Sequence, residues 1–180
     1  MDRKALNARL DQVLIGGRER REIVIAEPEP AWPRRFEAER ARIAAALGGL
    51  ARRIEHIGSP AVPGLAAKPI VDVLVAVEKV DEATLVPPLE RAGYELRVRE
   101  SGHLMVRTPA CDVHVHIWED GASEVARHLA FRDRLRASAA DRQAYERLKR
   151  ELAQREWDDV NHYAEAKGEL IRAILARCGG

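Results

Sequence analysis

The sequence predicts an α+β fold, a small mixed sheet with helices and a C-terminal helical block, and three observations carry that reading. Short β-branched runs separated by turn residues crowd the first two thirds of the chain. One of them, Ile70 to Val77, is apolar almost throughout, as a strand buried on both faces must be. From about residue 122 onward the apolar residues recur at helical spacing instead. A chain of 180 residues, 46% hydrophobic and 33% charged, can bury one sizeable core, which argues against two independent domains.

Leu6, Leu10, Val13 and Leu14 share a helical face ahead of the Gly16-Gly17 breaker, so residues 1–21 read as a helical extension to a main domain over residues 22–178. Those leucines need a partner, either the same chain or a second copy in a homo-oligomer. Glu22 to Ala26 reads as a short strand, and Pro28, Pro30 and Pro33 lead irregularly into a helix from about Arg34 to Leu47. Phe36, Ile43 and Leu47 form that helix's buried stripe, and Gly48-Gly49 ends it. Arg52 to Ile57 is the next strand. A loop rich in Gly and Pro, from Gly58 to Pro69, then separates it from the apolar strand.

Asp81 to Ala92 reads as a helix that Pro87-Pro88 should shorten and Gly93 should close. Tyr94 to Arg99, His103 to Arg107 and Asp112 to Trp118 follow at short spacing, with Gly102 and Pro109 between them, so they form an antiparallel meander. Three helices complete the chain: Ala122 to Arg136, Ala140 to Arg155 and Val160 to Ala176. Ser138 or Asp141 caps the second and Asp158 or Asp159 the third, while Gly179-Gly180 is a frayed end.

Composition excludes several classes of function. Thirty Lys plus Arg against 29 Asp plus Glu leave a net charge of +1, which disfavours a nucleic-acid binder that works through phosphate neutralisation. No apolar run approaches the roughly 20 residues that span a bilayer, so no membrane role is expected. The early Asp2 and the missing signal-like apolar stretch, with Cys111 and Cys178 too far apart for a redox or zinc motif, make the cytoplasm the expected compartment. Only Lys4, Lys68, Lys79, Lys149 and Lys167 are lysines in an otherwise arginine basic set, so each surviving lysine is a candidate for a specific role.

The chemistry-bearing residues cluster in three places. His56-Ile57-Gly58-Ser59 runs from a strand into a bend where glycine permits close backbone approach and serine adds a hydroxyl, an arrangement able to hold phosphate oxygens. Asp72 lies inside the apolar strand, where an ionised carboxylate needs an arginine, a hydrogen-bond network or a cation. Asp112, His114 and His116 alternate along one strand and share one face, either as its wet side or, with Asp72, as ligands of a metal such as Mn, Zn, Fe or Ni.

The stretch HIGSPAVPGLAAKPIVDVLVAV, residues 56–77, closely resembles the signature of the GrpB family, also described as a dephospho-CoA kinase/protein folding accessory domain. PAWPRRF (30–36), HVHIWE (114–119), HLAFRDRLR (128–136), AYERLKREL (144–152) and YAEAKGELI (163–171) are similar to the same family, over roughly residues 22–176. The resemblance implies a nucleotidyltransferase-like core in which Gly58 and Ser59 grip phosphates and Asp72 is the catalytic, metal-binding carboxylate. It implies a divalent metal, Mg or Mn, and a nucleotide or other phosphorylated small molecule as ligand, with transfer to an acceptor hydroxyl or amine.

Two departures stand out. Leu74 occupies the place of the usual second carboxylate, and Pro60 replaces a hydroxyl residue in the loop. Leu74 favours an alternative, a non-catalytic accessory module that keeps the fold, and the histidines leave open a third, a His/Asp metal enzyme on a small substrate. Lys68, Arg132, Arg136, Tyr145, Lys149 and Lys167, with His56, are the remaining candidates for phosphate contact. For Tyr145 and the neighbouring Asp133, packing and ion pairing within the helical block are the competing role.

Overall fold

The apolar run around Asp72 forms an inner strand, because a strand apolar on both sides is stable only where both sides are covered. The computed structural model describes residues 2–178. Its five strands are β1 (Ala51–Ile57), β2 (Val71–Val77), β3 (Glu95–Glu100), β4 (His103–Arg107) and β5 (Val113–Glu119). They lie in the order β1-β2-β5-β4-β3. β2 runs antiparallel to β1 and parallel to β5, while β5, β4 and β3 form the expected antiparallel meander. Every β2 residue except Asp72 is buried.

The helices are α1 (Arg3–Val13), α2 (Trp32–Leu47), α3 (Glu82–Arg91), α4 (Ser123–Ala137), α5 (Ala139–Ala153), α6 (Val160–Ala166) and α7 (Gly168–Ala176). α2 and α3 cover one face of the sheet, packing Phe36, Ile43, Leu47, Leu85 and Leu89 onto Val73, Val75, Val115 and Ile117. On the other face, Ile57, Leu74, Ala76 and Trp118 meet Val125 of α4. A further cluster of Val62, Leu65, Leu135, Tyr145 and Ile174 ties the loop before β2 to the helical block. None of the described helices is long and apolar enough to cross a membrane.

α1 finds its partner within the chain. Leu6 and Leu10 are buried, Leu14 bridges Val98 of β3, and Arg9 pairs with Glu100. Of the alternative caps, Ser138 accepts from the Asp141 amide and Asp159 from the Asn161 amide.

Three expectations are corrected. Residues 22–26 form no strand: Ala26 alone pairs, with Ala67, through bonds of 2.8 and 2.9 Å, because the segment meets a loop rather than a sheet edge. Pro87 and Pro88 both sit inside α3, whose first turn Asp81 holds by accepting from the Thr84 amide, so the pair does not shorten it. The helix expected over 160–176 breaks at Lys167, which ends α6 and starts α7 next to Gly168, a weak helix former. Gly179-Gly180, expected as a frayed end, lies outside the described residues.

Ile43 is fully buried between α2 and the sheet. Truncation to Ala should cost about 2–5 kcal/mol of stability in urea denaturation, and a loss below ~1 kcal/mol would contradict this packing.

Candidate functional site

Parallel pairing sets Asp72 opposite His114 and Leu74 opposite His116. Partners in register point to the same side of a sheet, so the face bearing Asp72 also bears both histidines. Asp72 Oδ1 lies 3.5 Å from His114 Nδ1 and 3.9 Å from His116 Nε2. One ligand atom from each of the three falls within 4.8 Å of the others. Partial burial opposes ionisation of Asp72, but His114, His116 and Lys68 together outweigh it and hold the carboxyl below its usual range. Among the described residues no arginine pairs with it. Burial drives the His116 imidazole down to about 3 against the attraction of Asp72, so the ring is neutral at pH 7. One carboxylate and two imidazoles fit a divalent transition ion such as Mn, Fe, Zn or Ni better than Mg, which prefers oxygen donors.

The bend after β1 closes over this carboxylate. Gly58 has φ 73°, and a Cβ there would stand 2.4 Å from Asp72 Oδ2, so both backbone conformation and space require glycine. Ser59 opens a short 3-10 turn, Ser59–Ala61, and its hydroxyl accepts from Lys149 Nζ at 3.0 Å. Lys149, on α5, also donates to the Ala66 carbonyl. Lys167, at the break between α6 and α7, lies 4.5 Å from the Tyr163 ring centre, and Lys68 lies over the same ring at 5.5 Å. Tyr145 supplies the ring beneath Lys149, at 5.1 Å.

These groups surround a recess of about 100 Å³ between sheet and helical block. Its electrostatics are lopsided. Lys149 is lowered to about 7 by burial and then by repulsion from Lys167. Lys68 falls to about 8 for the same two reasons, and Lys167 falls to about 8 through burial, with Asp72 pulling the other way in both. Three lysine side chains thus share a recess with one carboxylate. The Tyr163 hydroxyl is fully buried and has no hydrogen-bond partner among the described residues. An anion entering the recess would offset the like charge of the lysines that line it.

Four expected site residues lie elsewhere. His56 pairs with Val73, so it points to the opposite face from Asp72, where it stacks on Phe36 with ring centres 4.6 Å apart. Burial drives it down to about 4, so it is uncharged at pH 7. Arg132 donates to Glu55 at 2.8 Å and to the His56 carbonyl at 3.1 Å, and Arg136 donates to the Ala61 carbonyl at 2.8 and 3.0 Å. Both arginines brace the outer side of the bend and line a separate groove of about 670 Å³.

Asp112 does not join the histidines, because β5 begins only at Val113. Cys111, at φ 58°, turns the chain ahead of it, and the Asp112 carboxylate accepts from Thr108 and Arg35, each at 2.7 Å. Asp133 pairs with Arg132 at 2.8 Å. Sequence reasoning missed His103, whose Nε2 lies 3.3 Å from His116 Nδ1, since hairpin register alone brings them together.

A carboxylate with two histidines on a mixed sheet, faced by lysines of a C-terminal helical block, defines an α+β protein with one polar recess between its two layers. The chain belongs to the GrpB family: residues 22–177 match the family described as GrpB protein. It is 50% identical over 167 residues to a UPF0157 protein of Streptomyces coelicolor, covering 92% of this chain and 89% of that one. A UPF0157 protein of Halalkalibacterium halodurans is 46% identical over 159 residues, 86% of this chain and 82% of its own. The crystal structure of the conserved protein GrpB from Enterococcus faecalis superposes with a TM-score of 0.77 at 38% identity, covering 86% of this chain and 96% of that one. A dephospho-CoA kinase of Mycolicibacterium paratuberculosis is 30% identical over 183 residues, and the match covers only 45% of that longer protein.

Lys149 gives a pH test. It takes up its proton near pH 7 when folded but near 10.5 when unfolded, so between these values the unfolded chain binds more protons and stability rises with pH. Lys149→Met should be more stable than the wild type at pH 7 in urea denaturation. The gap should narrow steadily toward pH 10, and a constant gap would refute the buried-ammonium account.

Proposed function

We propose that the chain binds a phosphorylated small molecule, in the first instance a nucleotide, with its phosphoryl end in the recess between Gly58-Ser59 and the helical block. The observation that carries this reading is the convergence of Lys68, Lys149 and Lys167 on a recess whose carboxylate, Asp72, is flanked by two histidines. Asp72, His114 and His116 would hold a divalent cation. Such a cation, when bound, supplies charge neutralisation and polarisation of phosphoryl oxygens. The lysines would take the remaining phosphate charge, and Ser59 with the backbone at Gly58 would orient the group. Transfer of a nucleotidyl group to an acceptor hydroxyl or amine is the chemistry such an arrangement serves.

His116 bears on the missing second carboxylate. It stands across the ladder from Leu74 and brings a ring nitrogen to the site that Leu74 cannot provide. Leu74 still favours a second reading, in which the chain binds its ligand without turning it over. The kinase relative adds dephospho-CoA to the ligands worth testing, since that molecule too carries phosphates, as an internal pyrophosphate.

Calorimetric titration of manganese with ATP, and separately with dephospho-CoA, should give saturable heat for at least one ligand. Asp72→Asn should weaken that binding about 10- to 100-fold, while the fold persists. Absence of heat and of any thermal shift with either ligand would remove the proposal. Binding without turnover across a screen of acceptors would decide for the non-catalytic reading.

A further inference from the structure

The hydrogen-bond polarity around His116 can be traced back from the protein surface. Glu100 ends β3, and its Oε1 accepts from Arg9 Nε and Nη2 of α1 at 3.1 and 2.6 Å. Its other oxygen, Oε2, lies 3.7 Å from His103 Nδ1, at the start of β4 across a two-residue turn. That separation is beyond hydrogen-bond reach, but the attraction of an ionised carboxylate favours the His103 proton on the nearer nitrogen, Nδ1. A neutral imidazole carries one N–H, which leaves His103 Nε2 as an acceptor. That nitrogen is 3.3 Å from His116 Nδ1, so His116 must be the donor.

We infer that Glu100 and His103 are positioning residues that fix His116 as its Nδ1–H tautomer, with the Nε2 lone pair turned toward Asp72. The consequence is two acceptors, the His116 Nε2 and Asp72 Oδ1, facing each other across 3.9 Å. A cation between them satisfies both, so the purpose of this tautomer rests on the cation reading proposed above, whereas the tautomer itself rests on the distances alone. Trp118 holds the geometry. Its indole stacks on His103 at 4.4 Å and on His116 at 5.3 Å, with interplanar angles of 7° and 8°, so neither ring can turn freely. The relay begins on α1, which precedes the residues matched to the family, and so gives that helix a function at the site.

Nitrogen-15 NMR of histidine-labelled, metal-free protein reads the tautomer directly. The wild type should show His116 protonated at Nδ1. His103→Leu removes the acceptor and should shift His116 to a mixture or to the Nε2–H form, whereas His103→Gln, whose side-chain carbonyl can still accept, should retain Nδ1–H. Glu100→Ala should loosen the preference even if the His103 variants fold poorly. In a cobalt titration followed by its visible absorption, His103→Leu should bind about 10- to 100-fold more weakly than wild type, and His103→Gln within ~3-fold of it. An Nε2–H tautomer in the wild type, or an unchanged tautomer in His103→Leu, overturns the inference. The expected tautomers with no cobalt binding to the wild type would sink the cation reading and leave the relay standing.

Discussion

The parallel ladder between β2 and β5 is the constraint on which the rest of the site depends. Both strands begin at the same end of the sheet, one leaving the glycine-proline loop and the other the turn at Cys111. Because they run together in register, the second residue of each, Asp72 and His114, stand side by side, and His116 falls beside Leu74. A slip of one residue would turn both histidines into the core packed under α2 and α3. Hydrophobic patterning forbids that slip, since Val71, Val73 and Val75 and Val113, Val115 and Ile117 are the residues that core requires. The polar site is therefore held in alignment by the apolar side chains on the opposite face.

Much of the architecture was legible in the sequence because it is written in periodicity. The meander, the helical C-terminal third, the stripe of Phe36, Ile43 and Leu47, and the caps at Ser138 and Asp159 all depend on neighbours in the chain. Part of what failed depended on partners distant in sequence and part on the local course of a turn. Residues 22–26 have strand composition but meet no edge, and a strand is defined by its pairing. Asp112 has the right spacing for the histidine face but belongs to the turn that Cys111 forces.

His56 shows the same limit at the site. It immediately precedes Ile57 and the glycine bend, yet alternation along β1 turns its ring away from Asp72 and onto Phe36. Of the five lysines singled out by their scarcity, Lys4 and Lys79 do not line the recess and three do. Lys68, Lys149 and Lys167 come from a loop, a helix and a helix break, and the structure brings all three to one recess. Burial lowers every one of them, and repulsion from Lys167 adds to it for Lys68 and Lys149. Lysines buried together depart from local rules of stability, a pattern expected where selection has acted on something other than stability.

The size of that recess has its own consequence. At about 100 Å³ it can admit the tip of a molecule and no more, so everything beyond the tip must rest on the rim and the open surface. Recognition would then be divided between a narrow pocket floor and an open periphery. Chains sharing the floor could diverge in what they accept by exchanging a few residues at the rim, with the sheet beneath unchanged.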